Sequence, residues 1–133
     1  MAYLGKTYKF VKNENFDKIL AHFGVPADKI EALLKLKPTL KLEKSGDSYV
    51  LTTVDSSTKE LKFKEGVEFE ENLTEELVAK STFTFAGDVV TQVQKFEDGR
   101  TVTIKRTFKG DELVAEITAS SWDGIARRYY SAA

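Results

Sequence analysis

Beyond Pro38 the chain is punctuated, and the punctuation limits what it can fold into. Short polar breaks fall at Ser45-Gly46-Asp47, Asp55-Ser56-Ser57, Glu65-Gly66, Ala86-Gly87-Asp88, Asp98-Gly99, Lys109-Gly110-Asp111 and Asp123-Gly124. Glycine beside aspartate is hairpin chemistry, because a tight turn needs backbone at positive φ. The intervening segments are rich in Val, Thr, Phe and Tyr and recur at the roughly 8–12-residue spacing of an all-β sandwich or barrel. With one strand ahead of the helical region, Lys6–Val11, the count reaches about ten. An antiparallel meander of that length is expected to close on itself, since closure removes exposed edges. The hairpins share turn chemistry but no side-chain motif, so no repeat array is indicated.

One stretch departs from this pattern. Between Asn15 and Lys37, Phe16, Ile19, Leu20 and Phe23 fall on one helix face. Gly24 offers a left-handed stop, and Pro26 suits the first turn of a second helix. That helix groups Ile30, Leu33 and Leu34, with Asp28 early and Lys35 and Lys37 late, as the macrodipole favours. Pro38 ends it. The spacing predicts a short helix-turn-helix between the first two strands.

What is missing narrows the chemistry. Cysteine is absent, which removes disulfides, thiol catalysis and soft-metal sites. His22 is the sole histidine, so no multi-histidine metal site can form, and it reads as a helix-face residue. There is no G-x-S-x-G, P-loop or G-x-G-x-x-G motif. A formal net charge of −1 gives neither a nucleic-acid footprint nor a polybasic membrane surface. The N-terminus runs straight into polar residues, and no apolar run approaches the roughly 20 residues of a membrane span. The expectation is one cytoplasmic domain over residues 1–133, monomeric and non-enzymatic, with no cofactor and no metal.

Two strands nevertheless carry chemistry. In Thr101–Phe108 the period of two puts Val102, Ile104, Arg106 and Phe108 on one face, so an apolar face contains a guanidinium. Turning Arg106 outward would expose three large hydrophobes. In Ile125–Tyr130 whichever face points inward holds one arginine and one tyrosine, either Arg128 with Tyr130 or Arg127 with Tyr129. Alternation does not choose between them, although Ala126 leaves more room on the Arg128 face. A buried arginine cannot shed its charge and needs a partner. That partner is either internal, with Glu116 or Glu97 as candidates, or an anion from outside. Two arginines and a phenol on neighbouring inner strands would form a cradle for one carboxylate.

The sequence resembles the intracellular lipid-binding proteins, which include the fatty-acid-binding and cellular retinoid-binding proteins. The resemblance rests on Gly5-Lys6-Thr7-Tyr8-Lys9-Phe10, Asn15-Phe16-Asp17-Lys18-Ile19-Leu20, Lys37-Pro38-Thr39, Lys64-Glu65-Gly66-Val67-Glu68-Phe69, and Gln94-Lys95-Phe96 followed by Asp98-Gly99. It covers essentially the whole chain. The ending Trp122–Tyr130 is similar to the insect branch.

The resemblance implies a ten-stranded antiparallel up-and-down β-barrel capped by the helix-turn-helix. It implies that Arg106, Arg128 and Tyr130 hold a ligand carboxylate inside, with Arg127 outside. It further implies that Phe16, Leu20, Val25, Pro38, Ile104 and Ile117 line the cavity, with the helices forming its portal. The function so implied is intracellular binding and transport of a long-chain fatty acid, with a retinoic-acid or retinoid carrier as the alternative. A membrane-interacting structural protein is the third reading. The helical lysines Lys18, Lys29, Lys35 and Lys37 could support transient membrane contact, although such a row usually marks a solvated face. Two departures touch the portal. Asp55-Ser56-Ser57-Thr58 stands where relatives often carry phenylalanine, and Glu76-Leu77 stands where many carry Asp-Arg.

Overall fold

The computed structural model describes residues 2–72 and 77–133, so the portal position Glu76 lies outside the described residues. Its strands are β1 (Thr7–Glu14), β2 (Thr39–Ser45), β3 (Ser48–Val54), β4 (Thr58–Phe63), β5 (Phe69–Asn72), β6 (Val78–Ala86), β7 (Val89–Phe96), β8 (Thr101–Lys109), β9 (Glu112–Ala119) and β10 (Trp122–Ala132). Helices α1 (Phe16–His22) and α2 (Ala27–Leu34) lie between β1 and β2. One sheet contains all ten strands, in the order β4-β3-β2-β1-β10-β9-β8-β7-β6-β5. Pairing is antiparallel throughout, and β1 closes onto β10 through Tyr8–Ala132, Phe10–Tyr130 and Asn13–Arg128. The result is the expected up-and-down barrel, nearly closed, with a seam where β4 and β5 share no ladder among the described residues.

The turns follow the glycines. Gly87 (φ 62) and Gly110 (φ 60) supply the left-handed backbone of the β6–β7 and β8–β9 hairpins, where a side chain would be strained. Asp123-Gly124 is an exception to the turn pattern. Residues 120 and 121 join β9 to β10, and Asp123-Gly124 sits inside β10 at an irregular register between Trp122 and Ala126. Glycine is needed there for space, because a Cβ would stand 2.5 Å from Cζ2 of Trp122.

The helices are shorter than the periodic pattern suggests. Asn15 takes a left-handed conformation (φ 57) at the entrance to α1, and Gly24 (φ 83) follows its end. Pro26 stays extended (ψ 148) as the residue capping α2, one position ahead of the first turn where its fixed φ had suggested it. Ile19 is the buried residue of α1, and α2 has none. Leu20 of α1 borders one internal cavity, Phe16 and Leu33 border another, and Leu34 is exposed.

Two aromatic groups stand out in the core. Tyr3 stacks on Phe108 at 4.2 Å, with Tyr8 edge-on to the same ring at 5.3 Å. Phe63 on β4 stacks on Phe83 of β6 at 3.9 Å and faces Phe69 of β5 at 6.2 Å. Rings thus bridge the seam at one end, supplying contact where backbone hydrogen bonds are missing.

Candidate ligand-binding site

Strand register assembles the site. Arg106 on β8 is directly opposite Ala115 on β9, and Ala115 is directly opposite Arg128 on β10. Facing residues in an antiparallel sheet point to the same side. Both arginines therefore project into the barrel, separated by the smallest side chain that keeps a Cβ. The next inward row is Phe108, Leu113, Tyr130 and Phe10, which places Tyr130 beside Arg128. Arg127 takes the outer face, with Nε 3.3 Å from Glu116 and Nη1 3.9 Å from Glu14.

Neither inward arginine forms an ion pair among the described residues. Arg128 Nε donates to Asn13 Oδ1 at 3.0 Å. Its guanidinium lies 4.2 Å from the Phe16 ring, 5.2 Å from Phe10 and 5.9 Å from Tyr130. Aromatic faces stabilise a cation without neutralising it. Arg106 Nη1 donates to Gln92 Oε1 at 2.9 Å, while its buried Nε has no hydrogen-bond partner among the described residues. Burial pushes the Arg106 guanidinium below its ordinary range, and the like charge of Arg128 adds to this. Tyr130 and Glu71 act in the opposite direction.

The internal partners proposed for Arg106 need correction. Glu116 is occupied by Arg127 on the outer face, and Glu97 is exposed. The carboxylate on the Arg106 side is Glu71, which is 4% exposed. Its Oε1 accepts from Ser81 Oγ at 2.8 Å, Gln92 Nε2 at 2.8 Å and Gln94 Nε2 at 3.1 Å. Its Oε2 faces Lys59 Nζ at 3.6 Å, across the seam. Among the described residues, the hydrogen bonds linking Arg106 to Glu71 run through the Gln92 amide.

Around these groups the interior divides into recesses. One of about 360 Å³ holds Arg106 and Ile104, with Leu51, Lys59, Glu71 and Gln92 in its walls. Another of about 350 Å³ is bounded by Leu20, Phe23 and Val25 on the helical side and by Phe96 and Val102 on the strands. A third of about 90 Å³ lies under α2, where Phe16 and Pro38 meet Arg128. The two larger volumes fall within the range of small-molecule sites. Tyr130 and Ile117 line none of these three. Tyr130 is 6% exposed and packed edge-on against Phe10 at 5.9 Å. Ile117 is half-buried on the inner face, opposite Ile104 and Ala126.

Above this site, α1 is tied down at both ends. Asn15 Nδ2 donates to the Ile125 carbonyl at 3.1 Å, and His22 Nε2 lies 2.9 Å from Ser121 Oγ. The sole histidine thus ties α1 to the turn between β9 and β10.

The profile of the lipocalin / cytosolic fatty-acid binding protein family matches residues 4–127. The chain belongs to that family. Fatty acid-binding protein 2 of Manduca sexta is 47% identical over 133 residues, covering 99% of this chain and all of its own. The structure of a fatty-acid-binding protein isolated from Manduca sexta superposes with a TM-score of 0.87 at 48% identity, over 97% of this chain and 98% of that one. A Schistosoma mansoni fatty acid binding protein in complex with arachidonic acid superposes with a TM-score of 0.89 at 25% identity, over 99% and 96% of the two chains. Family membership matches the barrel and its helical cap, and the family is one of binding and transport.

Glu71 and Gln92 escaped the sequence reading. Val90, Gln92 and Gln94 share a face at period two, so two amides interrupting a face begun by valine were a legible sign of a polar interior. β5 is only four residues long, too short for alternation to mark Glu71 as inward.

Proposed function

We propose that this protein binds and carries a long-chain fatty acid or a similar lipid carboxylate, with Arg106, Arg128 and Tyr130 receiving the carboxylate inside the barrel. The observation that carries the reading is the row Arg106–Ala115–Arg128, two inward cations without an ion pair among the described residues. Such charges are costly unless an anion completes them. The relatives named for fatty acids favour that ligand over retinoic acid. Phe16, Leu20, Val25, Pro38, Ile104 and Ile117 would contact the tail. Each methylene withdrawn from water contributes about 0.8 kcal/mol, so the chain supplies affinity while the cradle selects anions. The reading is of a monomeric cytoplasmic carrier that transforms nothing. Arginine cannot serve as a base, and an ordinary tyrosine is a poor one near neutral pH.

Titration calorimetry with oleate provides the test. Arg128→Gln is expected to weaken oleate binding by about 2–5 kcal/mol, the usual cost of truncating one partner of a buried charge pair. The unliganded variant should melt no lower than the parent, because two like charges no longer share the interior. Unchanged oleate affinity would remove Arg128 from the site. Retinoic acid displacing oleate stoichiometrically at equal concentration would move the assignment to the retinoid branch.

A further inference from the structure

We propose that Glu71 is an internal anion that sets head-group selectivity by competing with the ligand carboxylate for the field of Arg106. The inference rests on the carboxylate-binding reading above and deepens it. Glu71 is held in place by the donors of Ser81, Gln92 and Gln94 on a single oxygen. A carboxylate only accepts, so Gln92 must turn its amide nitrogen toward Glu71 and its oxygen toward Arg106. The 2.9 Å bond from Arg106 Nη1 to that oxygen is the consequence. Arg106 is thereby oriented by a neutral acceptor, and its buried Nε is left for a further partner. An incoming carboxylate and Glu71 then flank the same guanidinium with like charge. Glu71 holds acid binding below what two arginines alone would give, and it leaves a neutral lipid of the same shape unaffected.

Calorimetric titration of the delipidated full chain with oleate and with oleyl alcohol separates the two effects. Glu71→Gln keeps the side chain's shape and removes its charge. It is expected to tighten oleate roughly tenfold, the order of one nearby charge in a low-dielectric interior, with oleyl alcohol changed by less than about twofold. Gln92→Glu places a charge directly on Arg106 and should weaken oleate while sparing the alcohol. Lys59→Gln removes the contact across the seam but keeps the Glu71 charge, and it should not tighten oleate. Equal shifts for acid and alcohol in Glu71→Gln would overturn the inference. So would oleate binding in that variant that is unchanged or weaker, or tightening by Lys59→Gln to match it. If Glu71→Gln fails to fold, Gln92→Glu decides alone, and undiminished oleate affinity in it overturns the inference. A parent protein that takes up no oleate sinks the underlying carboxylate reading instead.

Discussion

An arginine that faces a barrel interior must have its charge answered, and the size of its neighbours decides by what. Between Arg106 and Arg128 the sheet places Ala115, 5% exposed. A larger side chain would fill the space where an anion could bridge the two guanidinium groups. Ala115→Leu is therefore expected to lower oleate affinity, because the branched side chain would occupy the volume the carboxylate needs. Calorimetry with oleate measures this, and Ala119→Leu, further along the same strand, serves as the comparison. Arg106 was legible in the sequence because it interrupts an apolar face. Arg128 was legible only as one of a pair, since alternation treats residues 127 and 128 alike until a neighbouring strand fixes the inside. Glu71 was not legible, because its meaning depends on three donors from β6 and β7 that are distant in the chain.

At the level of elements, α1 is held to the barrel by a few specific contacts. Asn15 does two things at once: its backbone makes the left-handed entrance to the helix, and its amide bonds the Ile125 carbonyl. Asparagine tolerates that conformation better than most residues. Asn15→Gly keeps the backbone and loses the bond, whereas Asn15→Ala loses both. Thermal melts should show Asn15→Ala the less stable of the two, by about 1 kcal/mol for a non-glycine residue in left-handed backbone. Stopped-flow transfer of a fluorescent fatty acid should be faster in both than in the parent, because both free the helix end from β10. Helix existence and order were plain from periodicity, while the boundaries moved inward because the ends settle into caps rather than further turns. Asp123-Gly124 was misread for a related reason. Turn chemistry and a steric need for glycine look the same in sequence, and the Trp122 ring that requires the space becomes visible only in three dimensions.

Over the whole molecule, the number of strands and the meander followed from turn spacing, but the place where the ring stays open did not. Each hairpin announces its own pairing, whereas a missing ladder leaves no local mark. The seam between β4 and β5 is spanned instead by side chains, through Phe63 against Phe69 and Lys59 against Glu71. Away from the seam, β1 and β10 run side by side, and the Ala133 amide reaches the Thr7 carbonyl at 2.9 Å. The order in which the strands are linked is thus separable from the way they pair. If a flexible linker joined the two ends of the chain and the chain were cut between Val67 and Glu68, the cut would sever no strand ladder among the described residues, and both residues flanking it are exposed. Such a circular permutant is expected to fold with the parent's far-UV circular dichroism and to retain oleate binding, since new ends are tolerated best at exposed connections. Its first strand would be β5 and its last β4, so that the seam becomes simply the two ends of the chain.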